Sequence, residues 1–316
     1  MRLALPQQNL KHYRLIKEAG SGGLGQVFKA IDQRTGRTVA LKILHPRYQK
    51  SKKFLGIFHR ELMIMARLRH KHIVEFIDSN FEPGNCFIVS EFVDGWSLHS
   101  LMKTLGPIPP LVALSIVIDM LQGIDYLHLH DTIHSDLSSP NVMVDWAGRV
   151  LVTDFGLACQ DAVEDYKNYM VGTPGYYSPE HVSNSGIVPQ SDIYCVGLIL
   201  YEMIFGSKAV PASKNRKEVF HNMKNIDFRN IPCSDRKLTR ALRRLLKNSL
   251  KINPSRRIPT AEAMILEVFK ILKSCNIRYA RFAIQQYLID RKLVPPTMNN
   301  RPDQDIYKGF LNERNS

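Results

Sequence analysis

Residues 133–142 read Ile-His-Ser-Asp-Leu-Ser-Ser-Pro-Asn-Val, and residues 152–156 read Val-Thr-Asp-Phe-Gly. Two acids and an amide, Asp136, Asn141 and Asp154, lie in these stretches on loops bounded by short apolar runs. Carboxylate and amide oxygens suit Mg²⁺, which takes few protein carboxylates and completes its shell with water and nucleotide phosphates. The two stretches therefore predict a metal-assisted site in which one aspartate remains free to accept a proton from a hydroxyl group.

A glycine-rich stretch, Gly20-Ser21-Gly22-Gly23-Leu24-Gly25, lies far upstream. A dinucleotide-binding loop would lead from a strand into a helix, whereas the residues after Gly25 again have a strand pattern. A Walker A loop would end in Gly-Lys-Ser/Thr, and here Gln26 follows Gly25. The stretch is therefore predicted to be the tip of a hairpin whose backbone N–H groups can cover a phosphate chain. Taken alone, it could equally be a glycine-rich turn without a ligand.

A lysine and a glutamate follow the hairpin. Lys42 ends the apolar run Val39-Ala40-Leu41, and Glu61 lies within residues 54–69, whose apolar side chains recur at helical spacing. A lysine on a half-buried strand needs a counter-charge, which a glutamate on a neighbouring helix can supply while the ammonium also reaches phosphate oxygens. Taken singly, each residue could be an ordinary surface charge.

The pattern along the chain changes near residue 94. Before that point, residues 13–44 predict a meander of three antiparallel strands, and two further strands are predicted over 73–78 and 86–93. After it, helical periodicity dominates in five segments: 98–105, 111–130, 191–204, 236–250 and 260–273. The sequence therefore predicts an α+β protein with a small strand-rich part and a larger helical part.

The 316-residue chain is basic, because 43 Lys and Arg outnumber 29 Asp and Glu and give a formal charge of +14. Such a charge suits nucleic acid, an anionic membrane or an acidic protein partner. No homeodomain, zinc-finger or RNP signature is present, so nucleic-acid binding is not expected. A hydrophobic fraction of 44% excludes global disorder.

The longest apolar run, residues 193–201, has about half of the ~18 residues that a membrane span needs, so no span is expected. The apolar run at residues 1–5 is too short for a secretory signal. The five cysteines have no C-x-x-C spacing and suggest neither a disulfide framework nor a zinc site. A cytoplasmic protein is therefore expected, and the sequence gives no sign of its oligomeric state.

Taken in order, these stretches resemble the motifs of the eukaryotic-type protein kinase family. The resemblance covers roughly residues 11–275 and includes the glycine loop, V-A-L-K, the helix glutamate, H-S-D-L-S-S-P-N, D-F-G, G-T-P-G-Y-Y-S-P-E, S-D-I-Y-C-V-G and N-P-S-R-R. It implies a bilobal α+β fold, with an antiparallel-sheet N-lobe carrying one helix over about 11–93 and a larger, mainly helical C-lobe over about 94–275. Residues 276–316 would form a helix-like segment and a mobile tail.

The resemblance also implies a Ser/Thr protein kinase that uses ATP and Mg²⁺, with Mn²⁺ as an alternative metal, on a protein substrate that the basic charge suggests is acidic. Asp136 would be the catalytic base, Lys42 would hold the α- and β-phosphates and pair with Glu61, and Asn141 and Asp154 would hold the metal ions. The remaining nucleotide contacts would come from Ala19, Gly20, Ser21, Gly22, Gly23, Leu24, Gly25, Val27, Ala40, Glu91 and Val93.

Three more residues resemble structural parts of the family. Glu180 and Arg257 resemble the ion pair that anchors the activation segment to the helical lobe, and Asp192 resembles the aspartate that braces the catalytic loop. Substitutions of these residues are expected to lower stability before they lower turnover.

The catalytic loop departs from the family at two positions. Ser135 replaces the usual arginine, which normally receives a phosphate, and residues 157–172 contain no Ser or Thr, so activity without phosphorylation of that segment is expected. Ser138 replaces the lysine that contacts the γ-phosphate in Ser/Thr kinases, and Pro140 stands where tyrosine kinases have arginine.

These departures leave two alternatives open, an ATP-binding pseudokinase or scaffold with weak or no transfer, and a kinase-fold enzyme acting on a small molecule. Catalysis is favoured because a scaffold would have no use for a complete set of base and metal-binding residues, whose buried carboxylates are costly without ligands.

Overall fold

The computed structural model describes residues 10–159, 172–275 and 282–294. The predicted mobile tail beyond Pro295 and most of the segment before Gly172 that lacks Ser and Thr lie outside these residues.

The N-terminal part is a five-stranded antiparallel sheet with one α-helix. Its strands are β1 (Tyr13–Ser21), β2 (Gly25–Asp32), β3 (Thr38–Leu44), β4 (Phe76–Glu82) and β5 (Asn85–Glu91), and helix α1 (Lys52–Met65) follows β3. The strands are arranged in the order β1-β2-β3-β5-β4, and every neighbouring pair is antiparallel. The meander predicted over residues 13–44 is therefore confirmed.

The fourth strand begins later than the sequence pattern predicts. Residues 73–78 were expected to form it, but Ile73 makes only an isolated parallel bridge to Val152, and β4 begins at Phe76. The N–H of Val74 also donates to the Val152 carbonyl oxygen, at 3.1 Å. The apolar side chains of Ile73 and Val74 therefore mark a connection to a different part of the molecule and not the start of a sheet strand.

The C-terminal part is mainly helical. Among the described residues its helices are α2 (Leu98–Leu105), α3 (Pro110–Leu129), α4 (Pro179–Ser183), α5 (Pro189–Phe205), α6 (Arg216–Lys224), α7 (Arg236–Ser249), α8 (Ala261–Ser274) and α9 (Ala283–Asp290). A small antiparallel sheet, β6 (Gly95–Ser97), β7 (Val142–Asp145) and β8 (Val150–Val152), lies beside them. The five predicted helices are confirmed to within two residues at each end.

Helix α3 lies in the core of the helical part, where it packs against α5, α8 and α9. Within the described ranges it is the one helix long and apolar enough to cross a membrane, and 72% of its most apolar 18-residue window is buried inside the protein. Burial of this kind is typical of a core helix.

The predicted α+β architecture is thus confirmed: an antiparallel sheet with one α-helix precedes a larger helical part. Asp136 and Asn141 precede β7 and Asp154 follows β8, and Lys42 of the five-stranded sheet contacts Asp154 at 2.8 Å.

Candidate active site

The glycine-rich stretch forms the hairpin between β1 and β2, as predicted. The N–H of Gly22 donates to the Gly25 carbonyl oxygen at 2.8 Å and closes the turn. A Cβ on Gly25 would lie 2.3 Å from the Ile43 carbonyl oxygen, so only glycine allows β2 to approach β3 this closely. At Gly20 and Gly23, in contrast, a Cβ would meet nothing within 4 Å. The tip of the hairpin therefore leaves its backbone accessible to a ligand.

Val27, Ala40 and Lys42 lie on the same face of the sheet. Val27 pairs directly with Lys42 across the β2–β3 ladder, and residues two apart on a strand share a face. The opposite face carries the alternating residues Phe28 and Leu41, which are buried in a separate apolar cluster. The face of Lys42 is therefore the one available to the site.

Glu91 and Val93 lie at and just beyond the end of β5, beside this face. The Glu91 carboxylate accepts from Arg149 at 2.8 Å and from the backbone N–H of Glu75 at 3.0 Å. Val93 is buried. Because the carboxylate is used within the protein, any ligand contact by Glu91 would come from its backbone.

Lys42 connects three elements. Its ammonium lies 2.6 Å from Oε1 of Glu61 on α1 and 2.8 Å from Oδ1 of Asp154, in the loop after β8. Burial opposes the charge on Lys42, but the two carboxylates outweigh it and raise the pKa of the lysine well above its ordinary value. Lys42 therefore remains protonated throughout the physiological range.

The two carboxylates respond differently to this lysine. The charge of Lys42 holds the pKa of Asp154 below its ordinary value. For Glu61 burial is the larger effect and raises the pKa, although Lys42 partly offsets it. The Asp154 side chain is 45% exposed, whereas that of Glu61 is only 1% exposed. Asp154 is thus the ionised group that an incoming cation can reach.

The loops that carry Asp136 and Asp154 are joined through Asn141. The N–H and the hydroxyl of Thr153 both donate to the Asn141 carbonyl oxygen, at 2.9 and 3.1 Å. The Asn141 side-chain amide donates to the Asp136 backbone carbonyl at 3.0 Å and to Asp136 Oδ2 at 3.3 Å. These bonds use the nitrogen of the Asn141 side chain, so its oxygen is left to accept or to bind a cation.

Asp136 is the second acid of the site. Its Oδ1 accepts from both the N–H and the hydroxyl of Thr173, each at 2.8 Å. Burial, together with the negative charge of Asp154, raises the pKa of Asp136 to about 6, although the Thr173 bonds oppose this shift. A carboxyl group with this pKa is ionised at neutral pH and is more basic than an ordinary aspartate, so it can accept a proton from a hydroxyl group.

Asp192, at the start of α5, holds the catalytic loop from the helical side. It accepts from the backbone N–H groups of His134 at 2.9 Å and Ser135 at 3.0 Å, and from the His128 ring at 2.9 Å. Burial would raise the pKa of Asp192, but these hydrogen bonds, that of His128 first, lower it. Ser135 has a left-handed backbone (φ 64°), so the loop is held in a conformation that it would not adopt freely. The predicted bracing role is confirmed.

The predicted pair of Glu180 and Arg257 is also confirmed. The Arg257 guanidinium donates to both Glu180 oxygens, at 2.6 and 2.9 Å, and its remaining N–H groups donate to three backbone carbonyls. Ser191 donates to the same glutamate at 2.9 Å. The Arg257 side chain is 0% exposed, so this pair belongs to the interior.

Ser138 and Ser139 have unlike surroundings. Ser138 is fully buried, and its hydroxyl has no hydrogen-bond partner within the described part of the chain. Ser139 Oγ lies 2.6 Å from the Tyr176 hydroxyl, which donates to Glu202 on α5 at 2.5 Å. The Ser139–Tyr176 contact joins the catalytic loop to the segment after Thr173, and the sequence alone gave no signal for it.

A second connection ties the catalytic loop to the segment that follows Asp154. Ile133 and Cys159 exchange two backbone hydrogen bonds, at 2.9 and 3.0 Å. The Ser135 hydroxyl also lies 3.2 Å from the Cys159 sulfur. The position of the usual arginine is thus filled by a small side chain that packs against the protein itself.

The arrangement fits a divalent cation. Asp154 offers an exposed, ionised carboxylate, and Asn141 offers a neutral amide oxygen on the loop joined to it through Thr153. Two oxygen donors of this kind match the few protein ligands that Mg²⁺ takes when phosphates and water complete its shell.

Comparisons with known proteins agree with this geometry. A family model described as "Protein kinase domain" matches residues 13–269. A probable serine/threonine-protein kinase PknB of Lactococcus lactis is 38% identical over 197 residues, which are 61% of this chain and 31% of that protein. A probable serine/threonine-protein kinase of Clostridium perfringens is 31% identical over 84% of this chain and 39% of its own length.

The serine/threonine-protein kinase PrkC of Bacillus subtilis is 28% identical over 90% of this chain and 44% of its own length. The chain thus spans less than half of each of these three curated relatives. The family model covers most of the chain, and its span contains the glycine hairpin, Lys42, Asp136 and Asp154. The chain belongs to the protein kinase family.

Proposed function

We propose that the protein transfers the γ-phosphate of ATP to Ser or Thr hydroxyl groups of proteins. The observation that carries this proposal is the surroundings of Asp136: the carboxylate has a raised pKa, is oriented by Thr173 and lies on a loop joined to that of Asp154. A base beside a metal-binding carboxylate and a fixed lysine is what phosphoryl transfer to a hydroxyl requires.

Protein kinases in general use ATP and a divalent metal. Mg²⁺ is the proposed metal, with Mn²⁺ as the alternative, and Asn141 and Asp154 are the proposed ligands. Bound there, the metal would neutralise the negative charge of the phosphates. Lys42 is proposed to hold the α- and β-phosphates, with Glu61 fixing its position.

The other proposed nucleotide contacts come from the hairpin tip, residues 19–25, and from the sheet face of Val27 and Ala40. Glu91 and Val93 would bind through their backbone. The open space around Gly20 and Gly23 supports the contact with the hairpin tip, because its N–H groups can approach phosphate oxygens without steric hindrance.

Asp136 is proposed to receive the proton of the substrate hydroxyl as that oxygen attacks the γ-phosphorus. Little covalent work is needed in such a reaction, so most of the acceleration comes from alignment and fixed charges. The two bonds from Thr173 and the brace of Asp192 hold the base in place. The Asp136 carboxylate therefore does not need to reorient when the transition state forms.

The kinase domain is proposed to span residues 11–275, with its two lobes meeting near residue 94. The support is that β5 ends at Glu91, while the next strand, β6, starts at Gly95 and pairs with β7. A cytoplasmic location is proposed from the sequence, and cell fractionation would test it.

A second candidate is an ATP-binding scaffold. One observation favours it: Ser138, where Ser/Thr kinases have a lysine that contacts the γ-phosphate, is completely buried and presents no cation to the cleft. Electrostatic stabilisation of the transferred group would then be weaker.

Transfer of labelled phosphate separates the two candidates. Wild type, Asp136→Asn and Lys42→Ala are incubated with labelled ATP, Mg²⁺ and generic protein acceptors, with Asp131→Asn as a control that neutralises an exposed aspartate on the approach to the catalytic loop. Transfer by wild type and the control, reduced about 10²–10⁴-fold in Asp136→Asn, is expected. Nucleotide binding by wild type without transfer above the mutants would favour the scaffold.

The substrate, or a docking partner, is proposed to be acidic. A groove of about 480 Å³ between α7 and α8 supports this, because four basic side chains line it: Lys237, Arg240, Arg244 and Lys270. One acid, Glu267, is also present and pairs with Lys270. A steep loss of affinity for acidic proteins with added salt is expected, and an affinity independent of salt would contradict it.

A further inference from the structure

Lys208 holds an unusual position beside the proposed base. It follows the end of α5, and its ammonium donates to the Pro174 carbonyl oxygen at 2.9 Å. The same ammonium lies 4.5 Å from the centre of the Tyr176 ring. The lysine thus lies against the segment that begins with Thr173, the residue hydrogen-bonded to Asp136.

Gly175 makes room for this lysine. A Cβ at position 175 would lie 2.7 Å from Lys208 Cδ and 3.1 Å from its Nζ. Gly175 also has a φ of +92°, which residues with a side chain rarely adopt. The glycine and the lysine therefore fit each other: the aliphatic chain of Lys208 occupies the space that a side chain at 175 would need.

The ammonium is close to where a substrate hydroxyl would bind. Pro174 follows Thr173 directly, so ordinary backbone dimensions put Lys208 Nζ at most about 12 Å from the Asp136 carboxylate. An extended peptide advances about 3.3 Å per residue. Side chains within about four residues of the acceptor can therefore reach Lys208.

The charge of Lys208 is only partly used. An ammonium group has three N–H donors, and among the described residues its one hydrogen-bond acceptor is the Pro174 carbonyl. No carboxylate within the described ranges forms an ion pair with it. The side chain is only partly buried, so an anionic group of a bound peptide can contact the remaining donors.

We propose that Lys208 determines specificity by binding an anionic side chain, a glutamate, aspartate or phosphoserine, within about four residues of the acceptor hydroxyl. This inference rests on the proposed function. It names one residue and one place for the acidic preference, whereas the overall charge of the chain suggests only that a preference exists.

The test uses neutral peptides with a single acceptor serine and one Glu or Gln at each position from four residues before it to four after. Wild type is expected to show one position at which Glu raises kcat/KM about tenfold over Gln. A peptide with phosphoserine at that position then shows whether phosphate or carboxylate is preferred. The ratio should fall with added salt.

The variants then assign the preference. Lys208→Gln should lose the Glu/Gln ratio while keeping its rate on the Gln peptide, Lys208→Arg should retain most of the ratio, and Lys208→Glu should prefer a Lys peptide. Lys224→Gln is the matched control, because Lys224 also lies over an aromatic ring, 4.8 Å from that of Phe220, but on the exposed face of α6. Thermal unfolding confirms that each variant is folded.

Three outcomes would overturn the inference. An unchanged Glu/Gln ratio in Lys208→Gln, whether the rates on the two peptides stay the same or fall equally, would give the lysine a structural role. A wild-type enzyme that transfers phosphate without any acidic preference would overturn the inference alone. A wild type that transfers to no peptide or protein would overturn the proposed function as well.

Discussion

The protein has two buried ion pairs of equal length: Lys42–Glu61 in the cleft and Arg257–Glu180 in the helical part, each at 2.6 Å. They differ in how completely the hydrogen-bonding groups of each pair are satisfied. Arg257 has five N–H donors and makes five hydrogen bonds, and both Glu180 oxygens are bonded. In the cleft, Glu61 Oε2 has no partner among the described residues.

The pKa shifts of the two glutamates reflect this difference. Both are buried, which raises the pKa, but for Glu180 the hydrogen bonds of Arg257 outweigh burial and lower it. For Glu61 burial prevails, and the pKa is raised. The Arg257–Glu180 pair, in which both carboxylate oxygens are hydrogen-bonded, thus stabilises the fold. In the cleft, the Glu61 carboxylate is ionised at the expense of stability, and its role is to position Lys42.

Breaking the buried pair should have the largest effect. Arg257→Met leaves the Glu180 carboxylate buried without a counter-charge, so the free energy of unfolding should fall by about 3–5 kcal/mol. Thermal and urea unfolding measure this loss, and the folded fraction should keep its turnover. Arg229→Met is the control, because its pair with Asp227 is exposed and screened by solvent, so its loss should leave the free energy of unfolding nearly unchanged. Equal losses in the two variants would contradict the interpretation.

Breaking the cleft pair should change activity and spare stability. Glu61→Gln keeps the shape of the side chain but weakens a charged hydrogen bond of about 1.5–3 kcal/mol, so phosphate transfer should fall about 10- to 100-fold. The melting temperature should stay the same or rise, because a buried carboxylate with a raised pKa is removed. A melting temperature of Glu61→Gln lowered as far as that of Arg257→Met would show that both pairs stabilise the fold, and would contradict this interpretation.

Lowering the pH should affect activity in the cleft before it affects the stability of the helical part. The pKa of Asp136 is about 6, so kcat/KM should fall about tenfold per pH unit below 6 as the base is protonated. That protonation favours the folded state, because the native pKa lies above the ordinary one.

Glu180 behaves in the reverse way. Its lowered pKa contributes stability that is present above its ordinary value, about 4.3, and is lost only as the pH falls through the lowered value. As the pH falls from about 6 to about 4.5, the protein should therefore lose most of its activity while it stays folded. Circular dichroism and a pH–rate profile would test this, and unfolding that coincides with the loss of activity would refute it.

The smallest effect is expected at Ser138. Its buried hydroxyl lacks a partner among the described residues, so Ser138→Ala should leave stability unchanged or raise it by up to about 1 kcal/mol. The adjacent Ser139→Ala removes the contact with Tyr176 and should cost about 1 kcal/mol. Urea unfolding of the two variants gives the comparison, and a loss at Ser138 equal to that at Ser139 would be the contrary result.

Elements with a strong apolar period could be predicted from the sequence. Residues 98–105 form a helix with the predicted ends, and 191–204 lie within α5. Helix α6 was missed because only Val219 and Met223 of it are buried, so its period is faint. The predicted start of the fourth strand was wrong, because an apolar side chain does not reveal which strand its residue will pair with. Ile73 pairs with Val152, outside the five-stranded sheet.

The proximity of Lys42, Glu61 and Asp154 could be predicted only through a family resemblance, since 19 and 112 residues separate the lysine from its two partners. The contacts peculiar to this chain could not be predicted even so. Lys208 meets Pro174 across 34 residues, and the fit depends on the positive φ of Gly175. No pattern in the sequence near either residue predicts this contact.

The two connections to the catalytic loop have a consequence for changes made outside that loop. Cys159 is hydrogen-bonded to Ile133 and Thr173 to Asp136, so two separate stretches of the chain are attached to residues 133–136 of one loop. A displacement of either Cys159 or Thr173 would therefore move the loop that carries the base Asp136.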